Sequence, residues 1–239
     1  MGKKNKLQRF AEMATFANVV QPSLDEINNK DYPLKGKWSS GFFKNERPIV
    51  LELGCGKGEY TLGLSKKYPD KNFIGIDIKG ARIWAGAKEA LRDSLTNVGF
   101  LRTRIEHINS FFEKDEISEI WITFPDPQEK RIRAKKRLTS SRFLPNYRKF
   151  LKPGGIIHLK TDNSILYDYT HRLAVHNSFN ILENTSDLYH SGQADDILEI
   201  KTFYESQYLA QGIPIKYICF TIPHLNEISE PPEDEEGES

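Results

Sequence analysis

The feature that most constrains this chain is a five-residue apolar run, Ile49-Val50-Leu51-Glu52-Leu53, closed by Gly54-Cys55-Gly56-Lys57-Gly58 and followed directly by a helical stretch over Glu59–Lys67. A short apolar run stopped by glycine reads as a strand buried on both faces. A buried strand that feeds a helix through a tight turn is the first half of a parallel βαβ unit. The alternation continues. Phe73–Ile78, Val98–Leu101, Ile117–Phe124, Ile156–Lys160, Phe179–Glu183 and Ile213–Ile222 read as six further strands. Helices are expected over Lys79–Leu95, Ser141–Leu151 and Ile165–His176, the middle one stopping at Pro153-Gly154-Gly155. The expected architecture is α/β and Rossmann-like, a seven-stranded, mostly parallel sheet with helices on both faces. Ligands of such sheets bind beyond the carboxyl ends of the strands, so the loops that follow strands are where chemistry is sought.

Composition sets the boundaries. Residues 1–45 are rich in Lys, Asn, Gly, Pro and aromatics without a sustained period, and read as a partly flexible N-terminal arm with one short helix. Residues 46–225 make one domain of ordinary size. Residues 226–239 read as an acidic, disordered tail, because they hold seven acids and no Lys or Arg and bury too little apolar surface to order themselves. The formal net charge of +1 hides this segregation: what precedes the tail carries 34 basic against 26 acidic residues, a net of +8. A basic body favours a polyanionic partner. Two cysteines, Cys55 and Cys219, cannot build a disulfide framework and lack metal-ligand spacing. The six histidines show no H-E-x-x-H pattern, so no metal is expected. No run approaches the roughly 20 apolar residues of a membrane helix, and no apolar segment follows the basic MGKKNKLQRF as a secretory signal requires. The expectation is a cytoplasmic protein with no membrane partner, a monomer or homodimer.

Glycines in the turn after the first strand permit positive φ and close approach of a ligand to the backbone. The spacing is G-x-G-x-G, not the dinucleotide G-x-G-x-x-G, and the Walker pattern is absent. Asp77 ends the next strand, 25 residues after Glu52. An acid there can accept from both hydroxyls of a ribose. A tight turn without a ligand is the plainer alternative. The form E-x-G-x-G-x-G resembles the first motif of class I methyltransferases. That resemblance implies S-adenosylmethionine as cofactor, with Glu52, Gly54 and Gly56 around its methionine part and Asp77 at its ribose. It also puts a residue near Arg104 at the adenine end, where many relatives carry an acid.

The fourth strand runs into Phe124-Pro125-Asp126-Pro127-Gln128-Glu129-Lys130-Arg131-Ile132-Arg133-Ala134-Lys135-Lys136-Arg137, in which six of the last eight residues are basic. Such a run is usually a solvated face. Here it hangs from the carboxyl end of a central strand, where Lys and Arg can neutralise phosphates by releasing counterions. The segment is similar to the signature of bacterial tRNA (guanine-N7-)-methyltransferases, the TrmB family. Further likenesses follow in order: Leu151-Lys152-Pro153-Gly154-Gly155, His158-Leu159-Lys160-Thr161-Asp162-Asn163, Lys201-Thr202-Phe203-Tyr204-Glu205 with Gly212, and Arg9-Phe10-Ala11-Glu12 near the start. The family usually has Trp where this chain has Gln128, and basic or histidine residues near Ala134 and Lys135.

The resemblance implies methyl transfer to N7 of guanine in the variable loop of tRNA. Asp126 would be the catalytic carboxylate, facing guanine or cofactor. Lys130, Arg131 and Arg137 would grip RNA. Asp162, Thr202, Phe203, Tyr204 and Glu205 would form the guanosine pocket. Guanine N7 offers an unprotonated lone pair, so alignment and a fixed negative charge near the purine matter more than a general base. Two other readings stay open: a class I methyltransferase acting on another RNA base or a small molecule, and a catalytically silent RNA-binding scaffold. The basic run argues against a small molecule, and Pro125-Asp126-Pro127-Gln128 differs from the [DN]-P-P-[YFW] of amino-directed enzymes.

Overall fold

The computed structural model describes residues 6–28, 30–192, 194–223 and 227–232. In chain order the elements are α1 (Lys6–Met13), β1 (Val19–Val20), α2 (Leu24–Ile27), β2 (Ile49–Leu53), α3 (Glu59–Lys67), β3 (Asn72–Asp77), α4 (Gly80–Arg92), β4 (Val98–Arg102), β5 (Ile117–Thr123), α5 (Leu144–Arg148), β6 (Leu151–Thr161), α6 (Ser164–His176), β7 (Asn180–Thr185), α7 (Phe203–Ala210) and β8 (Lys216–Thr221). A π-helical turn covers Trp38–Phe43, and 3-10 turns cover Ile105–Ser110 and Arg131–Lys136.

The strands form one sheet in the order β1-β4-β3-β2-β5-β6-β8-β7. All pairings are parallel except those of β8, which runs antiparallel to both β6 and β7. The seven expected strands are present, and an eighth, β1, is added at the edge. Val19 and Val20 pair with Phe100 and Leu101, and two residues are too few to show a period. The expected helix Ser141–Leu151 shrinks to Leu144–Arg148. Strand β6 begins before Pro153-Gly154-Gly155 instead of after it.

Alternate residues of β2 face opposite layers. Ile49, Leu51 and Leu53 join Tyr147, Leu166, Leu173 and Trp38 on one side, while Val50 joins Tyr60, Leu64 and Trp121 on the other. Helix α4 and Met13 of α1 cover the β4 end of the second face. Phe100 of β4, fully buried, is hemmed in by glycine: Cβ atoms on Gly58, Gly75 and Gly86 would fall 2.6, 2.9 and 3.0 Å from its ring. The chain leaves β2 toward β3 and β4, then crosses back to β5 on the other side. The switch point therefore lies at the carboxyl ends of β2 and β5, the place such sheets offer a ligand.

Both chain ends depart from the sequence expectation. Arm residues reach the core: Trp38 is fully buried, and its indole N–H donates to the Phe111 carbonyl at 2.8 Å. Glu12 accepts from Trp84 Nε1 at 2.8 Å and ties α1 to α4. The tail expectation is corrected for residues 227–232. Ile228 is buried in the main core cluster, and Ser229 pairs through its backbone with the Asn177 side chain, 2.9 Å in each direction. One isoleucine amid acids carries no periodic signal, yet it supplies the apolar anchor. Residues 1–5, 224–226 and 233–239 lie outside the described residues. Among the described residues, no helix is long and apolar enough to cross a membrane.

Candidate active site at the switch point

The turn after β2 is built from left-handed backbone. Gly54, Gly56 and Gly58 have φ of 76°, 57° and 74°, a region where a Cβ is strained. A Cβ added at Gly56 would meet no atom within 4 Å, so this side of the turn opens onto space. Asp77 fastens the turn. Its Oδ2 accepts from Gly56 N at 3.0 Å and its Oδ1 from Lys79 N at 2.7 Å. Each carboxylate oxygen has a further lone pair, which suits a diol.

Glu52 sits under the turn rather than in it, 3% exposed. Its Oε1 accepts from Thr123 Oγ1 at 2.6 Å, and its Oε2 accepts from Thr61 N at 2.8 Å and from the Thr61 hydroxyl. One carboxylate thus ties β2 to α3 and β5. Burial pushes its carboxyl up to about 7, against the lowering effect of the Thr123 and Thr61 hydrogen bonds. The folded state therefore binds this proton more tightly than the unfolded chain. The resulting stabilisation is complete below the ordinary carboxylate range and is lost as pH rises through about 7. A shift of that size is on the order of 3 kcal/mol. The expected result is that Glu52→Gln flattens the change in unfolding free energy between pH 5 and 8. An unaltered profile would refute the assignment.

The loop after β5 is strained at both ends. Phe124 and Gln128 have φ of 47° and 48°. Non-glycine residues held there cost about 1–3 kcal/mol each and cluster at functional sites. Asp126 lies between them, exposed, its Oδ1 accepting from Gln128 N at 3.2 Å. Arg137 accounts for how the loop keeps its shape. It is 4% exposed and donates to the carbonyls of Pro127, Gln128 and Glu129 at 3.1, 3.2 and 3.4 Å. Arg137, expected at the RNA, has its guanidinium turned inward, where it braces the loop. Lys130 and Arg131 are exposed. Next to them, a groove of about 870 Å³ runs between the basic turn, α6 and Glu230-Pro231-Pro232.

The opposite wall comes from β6 and α7. Asp162 is half-buried, and its carboxyl is raised by that burial, with Lys216 acting the other way. Lys216 Nζ donates to the Asp162 carbonyl at 3.1 Å. The Thr202 hydroxyl accepts from Glu205 N at 3.2 Å, and Glu205 Oε2 accepts from Thr202 N at 3.3 Å, a reciprocal cap on α7. Glu205 is fully buried. It pairs with Lys160 Nζ at 2.7 Å and accepts from Tyr189 OH at 2.7 Å. Thr202 and Glu205, expected at the guanosine pocket, also form the frame that seats α7.

Phe203 and Tyr204 on that helix stay half-exposed. Phe203 N donates to Glu59 Oε2 at 2.9 Å, the Lys57 ammonium lies 4.8 Å from the Phe203 ring centre, and Tyr208 stacks on Phe124 at 6.0 Å. Helix α7 thus spans from the glycine turn to the Asp126 loop. Arg104 lies exposed beyond β4, at the head of the 3-10 turn.

Lys160 was missed in the sequence, although a signal existed: a lysine in a strand of core residues needs a partner. Its Nζ also donates to the Leu198 and Ile200 carbonyls at 2.5 and 3.2 Å, and burial lowers its pKa.

A family model described as "Putative methyltransferase" matches residues 46–218. The chain is 56% identical over 223 residues to the tRNA (guanine-N(7)-)-methyltransferase of Christiangramia forsetii, covering 93% of this chain and 100% of that protein. It is 54% identical over 228 residues to the protein of the same name from Bacteroides fragilis, covering 95% and 90%. Among solved structures, the 16S rRNA methyltransferase KamB aligns with a TM-score of 0.56 at 12% identity over 73% of this chain and 87% of that one, a likeness of fold alone. Identity above one half along nearly the whole of both relatives decides the family, and this chain belongs to the tRNA (guanine-N(7)-)-methyltransferases.

Proposed function

We propose that the protein transfers the methyl group of S-adenosylmethionine to N7 of a guanine in the variable loop of tRNA, with Asp126 as the catalytic carboxylate. The observation that carries this reading is the exposed Asp126, clamped by Arg137 between two strained residues at the switch point. The open side of Gly56 and the spare lone pairs of Asp77 fit the cofactor's methionine and ribose parts, and Gly54, Arg104 and Asp126 complete its surroundings. Glu52 acts from beneath by fixing the turn.

The cofactor supplies an electrophilic methyl on a sulfonium. The N7 lone pair forms the new bond, the old carbon–sulfur pair stays on sulfur, and positive charge passes to the purine. Asp126 stabilises that charge without taking a proton. Asp162, Phe203 and Tyr204 hold the unstacked guanine, the two aromatics offering stacking surface. Lys130 and Arg131 take phosphates. Replacing both with Ala is expected to weaken tRNA binding and reduce the salt slope of binding by about 1–2. A slope equal to wild type would remove them from the interface.

The deciding experiment incubates the protein with methyl-labelled S-adenosylmethionine and unmodified tRNA, then digests the RNA and identifies the labelled nucleoside. Label on 7-methylguanosine is expected. Label elsewhere sinks the position, and no label sinks the enzyme.

A further inference from the structure

Arg137 clamps the Asp126 loop, and is itself held from behind. Its guanidinium carbon lies 4.4 Å from the centre of the Tyr169 ring. Tyr169, a buried residue of α6, donates its hydroxyl to Glu230, 2.9 Å from Oε2 and 3.1 Å from Oε1. The Ser141 hydroxyl donates to the same carboxylate. Glu230 is not a loose acid. Ile228 is buried, Ser229 pairs with Asn177 through its backbone, and the Ser229 hydroxyl lies 3.0 Å from His176 Nε2. Burial alone would disfavour the Arg137 cation, and the nearby Glu230 charge opposes that loss.

We infer that Ile228, Ser229 and Glu230 form a C-terminal hook that positions the Asp126 loop through Tyr169 and Arg137. Glu230 is then a positioning residue for methyl transfer, although it contacts neither the glycine turn nor Asp126. The physical reason is shape. A guanidinium that donates to three successive carbonyls fixes the loop only while its own plane is fixed. The Tyr169 ring sets that plane, and Glu230 and Ser141 set the ring. This inference rests on the reading of Asp126 as the catalytic carboxylate.

The test uses the full chain with Tyr169→Phe, Glu230→Gln and the double variant. Each is measured for kcat and tRNA KM, for cofactor Kd, and for hydrogen exchange at backbone amides of residues 124–130. The expected result is a fall in kcat of about tenfold, with tRNA KM and cofactor Kd within about twofold. Loop amides exchange faster while those of β2 and β5 keep the wild-type rate. The double variant is expected to lose no more than the worse single one, because both act through one chain of contacts.

An unchanged kcat overturns the inference. So does a change confined to KM, which would make Glu230 part of the RNA surface along the groove. A rise in exchange throughout the sheet with weakened cofactor binding also overturns it, as a stability effect only. If the wild-type protein places no label on guanine N7, the functional reading fails instead, and exchange at residues 124–130 alone decides the hook.

Discussion

Asp126→Asn is expected to lower kcat for methyl transfer by about 10²–10³-fold while tRNA and cofactor affinities stay near wild type. Asparagine keeps the size of the side chain and the oxygen that accepts from Gln128 N at 3.2 Å, so the loop keeps its bracing. What is lost is the full negative charge beside a purine that becomes cationic as the bond forms. A charge stabilised only in the transition state appears in kcat rather than KM, and the magnitude is that of removing one preorganised electrostatic partner. Single-turnover rates with saturating cofactor and tRNA measure it. Turnover within about threefold of wild type would remove Asp126 from the reaction, and a purely KM effect would make it a binding group.

The largest stability effect is expected at Lys160. Its ammonium is fully buried and shared among Glu205 and the carbonyls of Leu198 and Ile200. Lys160→Met leaves the Glu205 carboxylate buried with Tyr189 and the α7 cap as its remaining partners. Breaking a buried pair from one side costs about 3–5 kcal/mol, roughly 10 °C in the midpoint of thermal unfolding for a chain of this size. The double variant Lys160→Met, Glu205→Gln is expected to recover a large part of that loss, since no uncompensated charge remains. Denaturant titration of the wild type and the two variants makes the comparison. If the double variant is as unstable as Lys160→Met, the loss comes from packing and not from the stranded charge. Because Lys160 holds residues 198 and 200, which precede α7, a weakened tRNA KM is expected with it.

The alternation that defined the sheet was legible because parallel strands, buried on both faces, are nearly continuous apolar runs. Strand β1 escaped notice because two residues have no periodicity. The arm concealed its share of the core because the apolar residues around Met13 and Trp38 follow no sustained period. In the site, the glycine turn, Asp77 and the Asp126 loop could be read from residue type and position. The separate roles of Arg131 and Arg137 could not. Six basic residues in a stretch of eight look alike until a fold turns one of them inward. Thr202-Phe203-Tyr204-Glu205 did carry a local signal, since T-x-x-E is a capping box. Its purpose emerged only with Lys160, some forty residues earlier and joined to it by packing alone. Glu230 offered no such signal, being one acid among seven.

Phe100 has a consequence of its own. Gly58 of the turn after β2, Gly75 of β3 and Gly86 of α4 all approach its ring with bare backbone. Three of the walls around that ring therefore have no side chain to swing inward. A void opened at position 100 would stay a void, at the costly end of the range for large-to-small substitutions. It would lie directly behind Gly58, so the turn would lose its backing together with the core.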